Sequence, residues 1–189
     1  HADYAEPEAL AEGQVDRIGG DARLWLRDAE GRDLAARDLD KAGASHGAAL
    51  DAALELLDLH LPEARIAAVG HRVVHGGMDH DAPVRIDDAV LEKLSALEPF
   101  APLHQPHNLA GVRAARAAFP EAVQVACFDT GFHRHHPFVN DVFGLPREFY
   151  DRGVRRYGFH GLSYDYIAGA LQRAHPDLHA GRVVAAHLG

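Results

Sequence analysis

An α/β fold, a sheet clothed by helices, is predicted by three features of this sequence. Apolar runs of strand length recur at RIAAVGHRVVH, AVQVACF and RVVAAHLG. Between them lie stretches whose apolar residues return at helical spacing, such as Leu50, Ala53, Leu54 and Leu57. Polar residues capable of chemistry gather at the ends of the strand-like runs. Asp129 closes AVQVACFD in this way, at the strand tip where open α/β sheets hold their ligands.

The elements follow in order. DARLWLRDAEGRDLAARD reads as two strands around the turn Glu30-Gly31-Arg32. Ser45 caps a helix that runs to about Leu59. RIAAVGHRVVH is a strand broken at Gly70, and Asp87 starts a short helix carrying Val90, Leu91, Leu94 and Leu97. Asn108 to Phe119 is an Ala-rich helix stopped by Pro120, and AVQVACF is the central strand. The loop from about Gly131 to Pro146, rich in His, Pro and Gly, is the candidate domain boundary. Pro146 begins a helical turn, Ser163 caps a helix to about Ala174, and RVVAAHLG closes as a strand. Such alternation predicts a sheet covered on both faces.

Composition narrows the function. At 189 residues the chain buries a substantial core, and its 25% charged residues suit a globular protein. A net charge of −9 argues against nucleic acid, since phosphate backbones need a basic face. Arg147, Arg152, Arg155 and Arg156 form a local basic cluster, read as a solvated face or a small-anion site. The single Cys127 excludes an internal disulfide framework and fits a reducing cytoplasm; mid-strand, it reads as a small buried hydrophobe. No stretch approaches membrane-span length and no signal peptide is visible, so no membrane partner and a cytoplasmic location are expected. The chain begins with His1 and stops at a strand followed by glycine, which reads as a protein cut at both ends.

The chemistry-bearing residues favour an anionic substrate. Arg72 follows an apolar strand and precedes Gly76-Gly77; its planar fork suits carboxylate or phosphoryl oxygens, against the alternative of a structural salt bridge. His104 lies between Pro102 and Pro106 on a stiff loop and, taken alone, is an ordinary packed histidine. His160 sits in Tyr157-Gly158-Phe159-His160-Gly161, just ahead of a helix start, where an imidazole can donate to a phosphoryl oxygen. His71 and His75 imitate zinc spacing, but Arg72 stands where such a motif needs glutamate. His133, His135 and His136 receive no role, and His187 is either a ligand or a core residue. No G-x-x-x-x-G-K-[ST] is present, and the only lysines, Lys41 and Lys93, follow no glycine-rich turn. Phosphate chemistry here must therefore use arginine, histidine, backbone N–H groups and a metal ion.

Together HRVVHGG (71–77), APLHQPHN (101–108), the strand ending at Asp129 and RRYGFHG (155–161) resemble the hallmark segments of the acetokinase (acetate kinase) family, and the resemblance runs from about Gly13 to Gly189. It implies the actin-like, ribonuclease H-like ATPase fold. Residues 1–131 would form a first domain lacking its opening strand, and 132–189 the beginning of a second, nucleotide-binding domain. It also implies Mg²⁺-dependent (or Mn²⁺-dependent) reversible transfer of the ATP γ-phosphoryl group to acetate, giving acetyl phosphate. By the same resemblance Arg72 matches the arginine that binds the substrate carboxylate and the transferring phosphoryl group. Asp129 matches the essential acid, acting through the magnesium shell or as an acid/base, and His160 the histidine that stabilises the transition state. His104 matches a supporting histidine, and Val74, Leu103 and Phe159 the apolar pocket for the methyl of acetate. His187, Leu188 and Gly189 match the start of a phosphate-binding turn for ATP. No residue is assigned as a certain metal ligand. The full-length protein is expected to be a homodimer binding acetate or another short carboxylate and ATP/ADP, and the fragment alone to be inactive.

Some positions depart from the family pattern. Gln105 and His107 stand for Asn and Pro, Gly131 for Ala, and Leu162 with Tyr164 for Thr and His. These leave the choice between acetate and propionate open. The rivals are a propionate or butyrate kinase of the same superfamily, a non-catalytic anion-binding module derived from the fold, and a metal-binding protein built on the fifteen histidines.

Overall fold

The structure is a computed structural model that describes residues 8–39 and 45–188. The chain divides into two compact units, one made of 1–67 with 113–122 and the other of 68–112 with 123–189. Residues on both sides of the expected 131/132 boundary fall in the second unit.

In the first unit, β1 (Ala11–Asp16), β2 (Arg23–Asp28) and β3 (Asp33–Asp38) form an antiparallel meander. The β2–β3 turn falls at Glu30-Gly31-Arg32 as the sequence predicts, with Gly31 at φ +78°. β1 was not expected, because its AEGQVD lacks an apolar run. It is an edge strand, so its residues need no continuous apolar face. Leu24 and Leu26 alternate inward on β2 and meet Leu56 of α1 (His46–His60). Ser45 caps that helix, its side chain accepting the Ala48 N–H.

The second unit is built on a sheet of order β4-β6-β5. β4 (Ala68–Val73) pairs in parallel with β6 (Val123–Phe128), while β5 (Val84–Arg85) runs antiparallel to β6. β4 passes through Gly70 without a break: the residue pairs with Val125 and a parallel ladder continues on both sides. Val73, Ile86, Leu94, Leu109, Val112, Ala126 and Phe128 make the core, joining the sheet to α2 (Asp88–Ser95) and α3 (Gln105–Ala118). Asp87 caps α2 as expected, accepting the Val90 N–H. α3 starts three residues before the predicted Asn108, because Gln105 and Pro106 already lie in its first turn, where proline costs no hydrogen bond.

Among the described residues, the expected cover on both faces of this sheet is not found. Gln124, Ala126 and Phe128 of β6 are buried on one face, whereas Ala68, Gly70 and Arg72 of β4 are exposed. The predicted closing strand is also absent, since residues 182–188 are exposed and have no ladder partner among the described residues. A β-prone sequence without a neighbour to pair with gains no strand.

After β6 come a 3₁₀ turn (Gly131–His135), α4 (Phe138–Asp141), α5 (Arg147–Asp151), α6 (Gly161–Ala174) and α7 (Pro176–His179). α6 begins two residues before the expected Ser163. Three of the four clustered arginines, Arg147, Arg152 and Arg156, are exposed as a solvated face requires, Arg155 is half-buried, and each also lies over an aromatic ring. Arg147 lies over Phe138 and Tyr150, Arg152 over Phe149, Arg155 over Tyr150 and Arg156 over Phe143. Buried Asp141 ties this stretch together, bonding His136 and accepting the Arg156 N–H on its carbonyl.

Candidate functional site

The site grows from two neighbouring parallel strands. Because β4 and β6 run the same way, Arg72 near the end of one and Asp129 just past the end of the other come to the same edge of the sheet. The Asp129 N–H extends the ladder by donating to the Val73 carbonyl, 3.1 Å. Asp129 is 1% exposed, while the Arg72 side chain is 62% exposed, so a buried carboxylate lies beneath an open guanidinium. Arg72 Nη2 donates to Asp129 Oδ2 at 2.7 Å, and Nε reaches both carboxylate oxygens at 3.1 and 3.2 Å. These bonds raise the Arg72 pKa further, so it stays cationic throughout the physiological range. The pair also neutralises a carboxylate that burial would otherwise penalise.

His160 is delivered from the other side by the start of α6. The Gly161 N–H donates to the Asp129 carbonyl, 2.9 Å, docking the helix on the tip of β6. A Cβ at 161 would stand 2.2 Å from that oxygen, so only glycine fits. His160 itself takes a left-handed conformation, φ 57° and ψ 23°, which is uncommon off glycine and recurs at functional positions. Its Nδ1 lies 3.4 Å from Arg72 Nη2, and its ring stacks on His187 with centroids 4.0 Å apart.

A cavity of about 540 Å³ opens over this cluster. Arg72, Asp129 and His160 line it together with Val74, Leu103, His104 and Phe159, as do Phe100, Pro102 and Asn108. Seven residues singled out from the sequence thus share one cavity. His187 is not on its lining but meets it through His160; Leu188 is exposed nearby in sequence, and Gly189 lies outside the described residues. His75 is a different case. It is 2% exposed, its Nδ1 accepts the Gly77 N–H at 2.9 Å, and its ring packs against Phe100, Tyr157 and Phe159. Burial holds its pKa below the usual value, so it is a neutral packed imidazole. His71 turns to Gln124, 2.7 Å, and no group of three metal-binding side chains exists among the described residues. His133 reaches the Phe159 carbonyl at 3.0 Å, and burial pushes the Cys127 thiol pKa up, away from nucleophilic use.

Sequence reasoning missed the residues beneath the cavity. The loop leaving β4 is held by side chains: the Val74 N–H donates to Asn108 Oδ1, that of His75 to Gln105 Oε1 and that of Gly76 to Thr130 Oγ1. Nothing local in APLHQPHN or in the Phe128-Asp129-Thr130-Gly131 stretch singles these three out, since their partners lie far away in the chain.

Comparisons with known proteins identify the family and the fold. The sequence profile of the acetokinase family matches residues 2–189. The chain is 50% identical over 182 residues to an acetate kinase of Methylocella silvestris, covering 95% of this chain and 45% of that protein. It is 51% identical over 178 residues to an acetate kinase of Rhizobium meliloti, covering 94% and 45%. Among solved structures it is similar to the acetate kinase of Porphyromonas gingivalis, with a TM-score of 0.74, 35% identity, and coverage of 87% of this chain and 42% of that one. It is also similar to a propionate kinase from Francisella tularensis, with a TM-score of 0.78, 30% identity and the same coverage. The chain spans about half the length of the curated relatives it matches. Its mixed strands and helices are those of the actin-like ATPase fold, and the chain belongs to the acetokinase family.

Proposed function

We propose that the complete protein is an acetate kinase, transferring the γ-phosphoryl group of ATP reversibly to acetate to give acetyl phosphate. The observation that carries this reading is the single cavity in which Arg72, Asp129 and His160 face the apolar residues Val74, Leu103 and Phe159. One end of such a site suits a carboxylate and a transferring phosphoryl group, the other a short alkyl chain.

A carboxylate is already ionised at neutral pH and needs no base, so the residues work by positioning and by offsetting charge. Nε and Nη2 of Arg72 are committed to Asp129 and His160, which leaves Nη1 for substrate oxygens. A guanidinium donor facing His160 Nδ1 favours the tautomer with hydrogen on Nε2, which then donates to a phosphoryl oxygen. His104, on the same cavity lining, is the supporting histidine. Asp129 positions Arg72 and is the only acid on the cavity lining among the described residues, so it is the side chain that would reach a magnesium or manganese ion through water, the alternative role being acid/base. When bound, that ion offsets phosphate charge. His187, Leu188 and Gly189 begin the phosphate turn for ATP, and the division near 131/132 belongs to the complete protein, proposed as a cytoplasmic homodimer. The 189-residue chain alone carries one wall of the site and is expected to be inactive.

A propionate kinase is the second reading, favoured by Leu103, which is 78% exposed and so leaves that wall of the pocket open. Steady-state rates of the complete protein with acetate, propionate and butyrate separate the two. Preference for acetate supports the first, preference for propionate the second, and turnover of none refutes both.

A further inference from the structure

Gln105 is 0% exposed and wholly occupied. Its Oε1 accepts the His75 N–H at 3.2 Å, and its Nε2 donates to the His75 carbonyl and to the Leu94 carbonyl, each at 3.1 Å. Both donor hydrogens of the amide are therefore used, and burial withholds the remaining acceptor site from a substrate. The residue's position in the chain gives these bonds a consequence. Its backbone follows Leu103 and His104 directly, which form one wall of the cavity, and its N–H donates to the Ala101 carbonyl at 2.8 Å. Its side chain grips the residue after Val74, which also lines the cavity. One turn further along α3, Asn108 Oδ1 accepts the N–H of Val74 itself at 3.0 Å. Residues three apart share a helix face, so the first turn of α3 carries one wall on its backbone and holds the Val74 wall by two side chains.

We propose that Gln105, seconded by Asn108, is a positioning residue that fixes the distance between the Val74 and Leu103 walls and thereby sets which short carboxylic acid the cavity accepts. This rests on the proposed phosphorylation of a short carboxylate. A buried two-point amide clamp is stiff, because releasing it strands a donor and acceptors away from water. An asparagine at 105 is one methylene shorter and cannot reach His75 and Leu94 together.

The test uses the complete protein carrying Gln105→Asn or Asn108→Leu. Each variant is expected to shift the ratio of propionate to acetate kcat/KM by about threefold or more, with the KM for ATP moving less than about twofold. A purely structural role would instead lower both acids alike, leaving the ratio within about twofold in a folded variant, and that result overturns the proposal. Amide hydrogen exchange on the unmutated protein gives a second reading that survives a variant's failure to fold. The Val74 and His75 amides should exchange as slowly as that of Leu109 in the core of α3, within about tenfold. Exchange at the rate of an open loop overturns the clamp. If the unmutated protein phosphorylates neither acid, the functional reading has failed, and the exchange measurement alone decides the positioning.

Discussion

At the scale of single residues, the Arg72–Asp129 pair orders the site. Asp129 is buried and its two oxygens are taken up by Arg72, so its first effect is to hold the guanidinium at the mouth of the cavity. Asp129→Asn keeps the shape but removes the charge and half the acceptor capacity. In the complete protein, if it is the proposed kinase, this variant should lose turnover by about a hundredfold and show a weakened Mg²⁺ dependence. An unchanged metal titration with a lost limb in the pH–rate profile would point to acid/base catalysis instead. Val74 gives a finer test, since it lines the cavity and is proposed to meet the alkyl end of the substrate. Val74→Ala enlarges that wall by about two methyl groups and should favour propionate over acetate by roughly tenfold. An unmoved preference would remove Val74 from the pocket wall.

At the scale of elements, two junctions carry the site: the loop leaving β4 and the start of α6. The first depends on buried His75, whose Nδ1 must stay unprotonated to accept the Gly77 N–H. Burial depresses its pKa in the folded protein, whereas an unfolded histidine takes up its proton near about 6.5. As pH falls below that value the unfolded state binds a proton that the native state refuses, and stability declines until the lowered native pKa is reached. Denaturant midpoints measured between about pH 8 and 5 should therefore fall more steeply for the unmutated protein than for His75→Phe. Parallel curves would remove His75 as the cause. At the second junction, Gly161→Ala sets a methyl group against the Asp129 carbonyl and Phe132. It should destabilise the protein by about 1–3 kcal/mol or more in the same measurement, and lower activity with it. A variant of unchanged stability would show that α6 need not dock on β6.

These junctions also mark how far the sequence could be read. The strands carrying Arg72 and Asp129, the capped helices at Ser45 and Asp87, and the β2–β3 turn were legible because periodicity and cap chemistry are local. Seven cavity residues were legible from four short motifs and their family resemblance. Gln105, Asn108 and Thr130 were not, because a side chain that grips a loop some thirty to fifty residues away leaves no local pattern. The start of α6 was misplaced for a related reason: Gly161 and His160 are fixed by the Asp129 carbonyl, a tertiary contact, and not by a serine cap. The terminal RVVAAHLG has strand composition but no partner to pair with among the described residues.

At the scale of the whole molecule, each compact unit keeps its own core, one around Leu24, Leu26 and Leu56, the other around Val73, Leu109 and Phe128. The cavity belongs entirely to the second unit. No helix among the described residues is long and apolar enough to cross a membrane. The most direct measurement is hydroxamate trapping of acetyl phosphate by the complete protein with ATP, Mg²⁺ and acetate, comparing the unmutated protein with Arg72→Ala and Arg72→Lys at equal melting temperature. The expected result is ready formation of acetyl phosphate by the unmutated protein, with a loss of about a hundredfold or more in both variants, because an ammonium cannot replace the guanidinium fork. No product from the unmutated protein, or near-normal product from either variant, would contradict the assignment of this cavity as the site of carboxylate phosphorylation.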